Sequence, residues 1–108
     1  MSATVFYGSP RQARLEASES LPAKLDLILD RLHLRERVKG EWVCLKLHVG
    51  YNIGYSTIHP VFVRKVVSAI KEGGGEPFIV DVDWDVAGSE SRSYTREVLG
   101  CPVYPSAG

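Results

Sequence analysis

The sequence predicts a small three-layer α/β fold, in which helices cover both faces of a mainly parallel sheet of three to four strands. The main evidence is the order of elements in residues 42–83, which is that of a βαβ unit: a strand at 42–47, a Gly-rich polar loop at 48–59, a helix at 60–72, three glycines and a strand at 78–82. A crossover of this length is what joins two parallel strands. Both strands are apolar at most positions, which is typical of strands covered on two sides.

The length of the chain, 108 residues, is enough for a single domain with a modest core. The hydrophobic pattern weakens after Asp83, and three or four strands leave at least one edge of the sheet bare. We therefore expect residues 1–108 to form one α/β domain, either a fragment or one half of a larger domain, as the amino-terminal portion of a longer protein.

Ahead of the βαβ unit, the sequence predicts one strand and one helix. The strand is short, at residues 4–7, where β-branched and aromatic side chains precede a turn. The helix begins after Ser20 and continues to about Leu34. Its apolar side chains recur on one helical face: Leu21, Leu25, Ile28, Leu29 and Leu32. Residues 35–39 form either a short extra turn or a loop.

Within the βαβ unit, the side-chain pattern assigns the faces of each element. The strand at 42–47 directs Val43, Leu45 and Leu47 to one side and Trp42, Cys44 and Lys46 to the other. The helix at 60–72 has an apolar stripe of Val63, Val66, Val67 and Ile70. Because β-branched residues are poor helix formers, this helix depends on burial against the sheet.

In the last quarter of the chain, the sequence predicts shorter elements. Residues 87–93 are small and polar, which is typical of a mobile loop. Ser93 or Thr95 opens a short helix that ends at Gly100. Residues 102–104 form a further strand.

The charge balance argues against a nucleic-acid partner, and the hydropathy pattern argues against a membrane partner. Thirteen basic and thirteen acidic residues cancel, and neither sign forms a long run. A nucleic-acid reader carries a basic stripe, so we expect no nucleic-acid partner. No apolar run approaches the roughly 18 residues of a membrane span, and the first residues lack the pattern of a signal peptide. We therefore expect no membrane partner.

The two cysteines, Cys44 and Cys101, lie far apart in the sequence. Disulfide frameworks have denser cysteines, so we expect no disulfide. Cys44 falls inside a predicted buried strand, where a free thiol behaves as a small apolar side chain. This pattern favours a reducing, cytoplasmic location.

The residues before Pro60 indicate an anion site. Unpaired backbone N–H groups and the positive end of the dipole point out of a helix start, where phosphate and carboxylate groups bind. The side chains that would hold a small anionic ligand are Lys46, His48, Ser56, Thr57 and His59. A lysine on an otherwise buried strand also needs a partner, either the anion or an acid on the next strand. In the alternative, Thr57 only caps the helix.

Carboxylates cluster at the carboxyl end of the second strand. Asp81, Asp83 and Asp85 alternate, so they would share one face if the strand continued that far. Asp81 and Asp83 are the candidate ligands of a divalent metal, and His48 and His59 would add imidazole ligands. In the alternative, the two histidines only form hydrogen bonds with the backbone of the loop. A general base is a further alternative. Equally, the carboxylates are a solvated strand end, or they pair with Lys46 and Arg92.

Motifs of the familiar catalytic families are missing from the sequence. It has no Ser-His-Asp order, no Gly-Lys-Ser phosphate loop and no Gly-x-Gly-x-x-Gly fingerprint. The catalytic residues are therefore unknown, and the question of enzymatic activity stays open.

Four segments, in this order, carry a family resemblance: K-L-H-V-G at residues 46–50, T-I-H-P-V-F-V-R at 57–64, E-G-G-G-E-P-F-I-V-D at 72–81 and G-S-E-S-R-S-Y-T at 88–95. Together they resemble the amino-terminal part of a large uncharacterised family known as domain of unknown function 362. Many members of that family add a ferredoxin-like module whose clustered cysteines bind a [4Fe–4S] cluster. The resemblance implies an iron–sulphur-associated protein, but the two separated cysteines of this chain receive no cluster.

Two hypotheses of different classes follow. In the first, the chain is a ligand-binding α/β half-domain of a redox-associated cytoplasmic protein, with a small anion or a divalent metal at the carboxyl ends of its parallel strands. In the second, it is a non-catalytic interaction or structural half-domain that docks on a missing remainder or on a second copy. A metal-dependent enzyme is a third, weaker hypothesis.

Overall fold

A computed structural model describes residues 1–107. The helices are α1 (Leu21–Arg31), α2 (Leu34–Arg37), α3 (Pro60–Glu72), α4 (Asp83–Val86) and α5 (Arg96–Leu99). The strands are β1 (Trp42–Lys46), β2 (Glu76–Asp81) and β3 (Val103–Pro105), and single 3-10 turns lie at Ala17–Glu19 and Ser89–Arg92. The predicted α/β class is confirmed.

The three strands form one parallel sheet in the order β1-β2-β3. Its register pairs Lys46 with Val80 and Val80 with Tyr104. The β1-α3-β2 segment is therefore the predicted βαβ unit, and the carboxyl ends of its two strands lie at one edge. Lys46 and Asp81 meet at that edge, with Nζ 2.7 Å from Oδ1.

Helix α3 packs its β-branched stripe against one face of the sheet. Its buried residues are Val63, Val67, Ala69 and Ile70. The core beside it combines Val49, Val63, Val67, Ile79, Tyr94, Leu99 and Cys101. Burial of this stripe supplies the stability that its helix propensity lacks, as the sequence predicts.

Helix α1 packs mainly on α3. An ion pair between Lys65 Nζ and Asp26 Oδ2, 2.6 Å apart, joins the two helices. Because α1 and α3 lie on the same side, the other face of β1 stays open: Trp42 is 77% exposed, and Cys44 and Lys46 are exposed as well. Within residues 1–107, the prediction that helices cover both faces is therefore wrong, and so is the predicted burial of Cys44.

The predicted strand at residues 4–7 is also wrong, because this segment pairs with no strand. The chain next to it lies along α1 instead. Lys24 Nζ donates hydrogen bonds to the carbonyl oxygens of Ser9 and Arg11, each at 2.7 Å. Lys24 thus holds the chain at Ser9 and Arg11 against α1 through two backbone carbonyl oxygens.

The first helix ends at Arg31, three residues before the predicted Leu34, because His33 adopts a left-handed conformation with φ 55°. Residues 34–37 then form the short extra turn, α2. Arg35 on this turn bridges Asp30 at 2.5 Å and Glu72 at 2.7 Å, so α2 ties the ends of α1 and α3 together.

Strand β2 ends at Asp81 and α4 begins at Asp83, so the strand does not continue far enough for Asp81, Asp83 and Asp85 to share one face of it. The predicted loop at 87–93 contains a 3-10 turn and the buried Ser89. The predicted short helix begins after Thr95 and ends at Gly100. No helix in the described part of the chain is long and apolar enough to cross a membrane.

Candidate functional site

Asp81 occupies the centre of the carboxyl edge, where its side chain is almost fully buried. Its Oδ2 accepts a hydrogen bond from the Val49 N–H at 2.9 Å, and its Oδ1 accepts one from the Val82 N–H at 2.9 Å and another from Lys46 Nζ. Burial alone would raise the pKa of Asp81, but these three donors together lower the pKa to about 2. One ionised carboxylate therefore holds both loops that leave β1 and β2.

His48 and Asp85 lie beside Asp81 and complete a cluster of three. His48 Nδ1 lies 3.2 Å from Asp85 Oδ2 and 3.5 Å from Asp81 Oδ2. One possible ligand atom from each residue lies within 4.8 Å of the others. The His48 side chain is 62% exposed, so the cluster is open to solvent on that side.

The loop between β1 and α3 is tethered to α4 on its way past this cluster. The Tyr51 N–H donates to the Asp85 carbonyl at 2.8 Å, and the Tyr51 ring stacks on Trp84 with centroids 4.8 Å apart. Gly50, with φ 73°, makes the required left-handed turn, and a Cβ there would lie 2.8 Å from Thr57 Cγ2. His48 and Asp85 are thus brought together by backbone contacts as well as by their own side chains.

Arg92 fixes the inside of the same loop. Its guanidinium donates to the carbonyl oxygens of Val49 at 2.5 Å and Tyr51 at 3.2 Å, and also to Thr57 Oγ1. The Tyr94 hydroxyl donates to the Ile58 carbonyl and lies 3.0 Å from Thr57 Oγ1. Sequence reasoning considered Arg92 only as a partner for the carboxylates and missed Tyr94, although both lie in the fourth segment of the family resemblance.

The structure divides the five predicted anion ligands between two places. Lys46 and His48 contact the buried carboxylate of Asp81. Ser56, Thr57 and His59 lie at the start of α3, where Ser56 is exposed and the Thr57 hydroxyl donates to the Gly54 carbonyl at 3.2 Å. Binding of an anion by these residues stays a prediction.

His59 is the cap of α3, a role that the alternative hypothesis gave to Thr57. The His59 Nδ1 accepts a hydrogen bond from the Val61 N–H at 3.1 Å, and the His59 carbonyl accepts one from the Phe62 N–H. Because Pro60 has no N–H, the first donors of this helix already have partners inside the chain. An anion would reach these donors only if the His59 ring moved away.

Asp83 lies apart from the other two predicted carboxylates. It begins α4, and its Oδ1 accepts a hydrogen bond from the Ala107 N–H at 3.0 Å. The helical turn brings Asp85, and not Asp83, to Asp81. Sequence reasoning named Asp85 in the alternating set but could not place it, because its position depends on where β2 ends.

A second feature lies beside the start of α3, a cleft of about 490 Å³. Its polar walls include His59, Arg64 and Arg92, and no carboxylate lines it. This cleft has a basic lining, whereas the cluster at the carboxyl edge is acidic.

The fold and the site define a class: a small α/β domain whose polar side chains gather at the carboxyl edge of a parallel sheet. The family model described as Domain of unknown function (DUF362) matches residues 43–101, which is more than half of the chain. The chain therefore belongs to this family, as its sequence segments predict. The matched range contains His48, Asp81 and Asp85. Comparisons with curated proteins and with solved structures found no match.

Proposed function

We propose that this protein binds a divalent transition-metal ion through His48, Asp81 and Asp85. The observation that carries the proposal is the spacing of the three side chains. Nitrogen and oxygen ligands lie about 2.1 Å from Zn²⁺, so neighbouring ligands of a tetrahedral site are about 3.4 Å apart. The 3.2 Å and 3.5 Å separations from His48 Nδ1 to the two carboxylates are close to this value, and the three ligand atoms lie within 4.8 Å of one another.

The donor set indicates the kind of metal. Imidazole with carboxylates suits zinc, manganese or iron, whereas calcium and magnesium favour oxygen alone. His48 and Asp85 would be the principal ligands. Asp81 would be a weaker third ligand, because one lone pair of its Oδ2 already accepts a hydrogen bond from the Val49 N–H and only the second is available to the metal. With neutral His48, two carboxylates and the Lys46 ammonium leave a net charge of −1 that favours a cation.

Three protein ligands leave at least one position of the metal for water or for another ligand. Lys46 lies at this edge with its side chain 62% exposed, so a small anion could contact both the metal and the ammonium group. The small anionic ligand predicted from the sequence would therefore bind beside the metal ion. Iron–sulphur binding is left out of the proposal, because a cluster takes four cysteine ligands and the chain has two cysteines.

The proposed location is the cytoplasm. Cys44 and Cys101 are both free thiols, one exposed and one buried. An exposed free thiol persists in a reducing compartment, which supports this part of the proposal.

Calorimetric titration of the purified chain with Zn²⁺, Mn²⁺ and Co²⁺ tests the metal site. We expect one equivalent to bind, and we expect His48→Gln and Asp85→Asn each to weaken binding at least about tenfold, the lower end of the effect seen even for residues behind the ligands. His33→Gln is the matched control, because this histidine is exposed and lies at the end of α1. Unchanged affinity in His48→Gln would refute the proposal.

The basic cleft at the start of α3 supports a second candidate function, binding of an inorganic or organic anion. Arg64 and Arg92 line this cleft, and no Asp or Glu side chain does. We expect phosphate to raise the melting temperature of the chain, and Arg64→Gln to remove that rise. Arg37→Gln, an exposed arginine on α2, is the control. An equal rise in Arg64→Gln would contradict anion binding in this cleft.

A further inference from the structure

The sheet has an uncovered side, which we call the outer face. It consists of Trp42, Cys44, Lys46, Glu76, Phe78, Val80 and Tyr104. Residues paired in a parallel ladder point to the same side, and the register pairs these residues in rows. Three aromatic rings form its centre: Phe78 lies 6.2 Å from Trp42 and 6.3 Å from Tyr104, measured between ring centroids.

Exposure of this face is unusual for a parallel sheet. Trp42 is 77% exposed and Tyr104 is 49% exposed. Parallel sheets occur almost only with both faces covered, and contiguous apolar surface on a protein marks a binding surface. The outer face is therefore a surface that a partner covers.

We propose that the partner is a second copy of this chain, packed face to face about a two-fold axis. The outer face carries one charge of each sign: Lys46 at the carboxyl end of β1 and Glu76 at the amino end of β2. A two-fold axis parallel to the sheet and perpendicular to the strands reverses the strands of the partner. The carboxyl end of β1, with Lys46, then lies over the amino end of β2 in the second copy, with its Glu76. Because the two copies are related by a two-fold axis, the interface contains two such pairs of opposite charges.

The same operation places the Phe78 ring against the Phe78 ring of the second copy. The row of Cys44 and Phe78 lies midway between the charged rows, so it meets its own copy near the axis. Aromatic side chains bury roughly 150–250 Å² each. Trp42 and Tyr104 are 77% and 49% exposed, and Phe78 is already largely buried, so association buries less than this area per ring. The interface is therefore a small one, of the size below about 1,200 Å² that is typical of weak and transient complexes.

The charge of the whole chain is compatible with self-association. Its formal net charge is zero, with 13 basic and 13 acidic residues. Two copies therefore meet without long-range repulsion. This inference uses the outer face and does not depend on the metal site.

Sedimentation equilibrium of the full chain tests the inference, over concentrations from about 5 to about 500 µM, a range suited to a micromolar Kd. We expect a monomer–dimer equilibrium, and we expect Trp42→Glu to weaken it at least tenfold by placing unpaired carboxylates in the interface. Tyr55→Glu is the matched control, because Tyr55 is 97% exposed and lies in the loop before α3. A monomer at every concentration, or equal weakening in both variants, would overturn the proposal.

Charge reversal tests the relative orientation of the two copies. Glu76→Lys places like charges beside the partner's Lys46, so we expect a weaker dimer. Glu76→Gln removes the negative charge without adding a repulsion and leaves the ion pair between Lys46 and Asp81 intact, so we expect it to weaken the dimer less than Glu76→Lys does. Circular dichroism melting of each variant shows whether it is folded. If folded Glu76→Gln weakens the dimer as much as folded Glu76→Lys, the face-to-face arrangement is wrong.

Crosslinking gives a second readout that needs no substitution at the charged positions. Cys44 is exposed on the outer face, whereas Cys101 is buried. Stacked sheets lie about 10 Å apart, which is too far for a disulfide and within reach of a short bismaleimide. We expect a dimer linked through Cys44 that is lost in Trp42→Glu and kept in Tyr55→Glu. Equal crosslinking in all three proteins would count against the interface.

Discussion

Asp81 determines more of the local structure than any other side chain at the carboxyl edge. It lies at the end of β2 and accepts hydrogen bonds from both following loops, through the N–H groups of Val49 and Val82. The ammonium group of Lys46 stabilises its charge. The residue that sequence reasoning proposed as a metal ligand is therefore also a structural anchor, and any test of the metal site needs His48 or Asp85 as the altered residue.

Asp81→Asn should lower the free energy of unfolding by about 1 to 3 kcal/mol, because the amide cannot accept all the hydrogen bonds of the carboxylate and its NH₂ group faces a donor. Urea unfolding followed by circular dichroism measures this loss. Asp83→Asn is the control, since Asp83 is exposed and bonds only the Ala107 N–H. Equal losses in the two variants would mean that the Asp81 anchor is unimportant.

The pH dependence of stability tests the same anchor. The pKa of Asp81 falls from 3.8 to about 2 on folding, so its contribution is complete above pH 3.8 and is lost as the pH falls towards 2. A shift of this size corresponds to stability on the order of 2 kcal/mol. Urea unfolding between pH 5 and pH 2 should show a steeper decline for the wild type than for Asp81→Asn. Parallel curves would contradict the assignment.

At the scale of elements, the loop between β1 and α3 is held from inside by Arg92 and from outside by α4. Arg92 bonds two backbone carbonyl oxygens, those of Val49 and Tyr51. The loop therefore has a defined conformation although it contains no helix or strand, and His48 owes its position to that conformation.

Arg92→Met should lower the free energy of unfolding by on the order of 2 kcal/mol, because the carbonyl oxygens of Val49 and Tyr51 lose their charged hydrogen-bond donor. Hydrogen exchange should speed up across residues 48–59 before it does in α3. Arg96→Met is the control, because this exposed arginine lies on α5, outside the network. Exchange that rises equally in both variants would show that Arg92 does not hold the loop.

The three glycines after α3 differ in their roles. Only Gly74 has a positive φ, at 85°, whereas Gly73 allows the backbone of α2 to approach. A Cβ on Gly73 would lie 2.4 Å from the Arg35 carbonyl oxygen. Close packing is therefore a second reason, beside conformational freedom at Gly74, for the glycines in this turn.

Gly73→Ala should destabilise the chain by about 2 to 3 kcal/mol, since α2 must move away from α3. Gly74→Ala should cost about 1 kcal/mol, because it causes backbone strain while its Cβ makes only an ordinary contact, 3.6 Å from Lys39 Cγ. Thermal unfolding of both variants measures the difference. A larger loss for Gly74→Ala would mean that strain, and not packing, decides this turn.

At the scale of the whole molecule, three strands and one helical side form a thin structure. The core lies between the sheet and α3, while the outer face contributes little to it. Association of two outer faces would bury the aromatic side chains of Trp42 and Tyr104, which the single chain leaves exposed.

The melting temperature of the chain should therefore rise with protein concentration, because a partner that binds the folded state stabilises it by mass action. Calorimetric scans at about 10 and about 300 µM, which lie on either side of a micromolar Kd, measure the rise. Trp42→Glu should melt at one temperature at both concentrations. A constant melting temperature in the wild type would argue against association.

Local patterns in the sequence were sufficient for the βαβ unit and for the meeting of Lys46 with Asp81. Periodicity fixes the type of each element, and parallel strand direction brings both carboxyl ends to one edge. The start of α5 after Thr95 and its end at the Gly100 cap were also predicted, since caps depend on a few neighbouring residues.

Only the tertiary structure decided that α1 packs on α3, which leaves Trp42 and Cys44 uncovered. It likewise decided that β2 ends at Asp81, so that a helical turn brings Asp85 into the cluster in place of Asp83. Both outcomes depend on contacts between residues far apart in the chain. An apolar side chain has the same sequence signal whether a helix, a partner or nothing lies against it, because the hydrophobic effect is not directional.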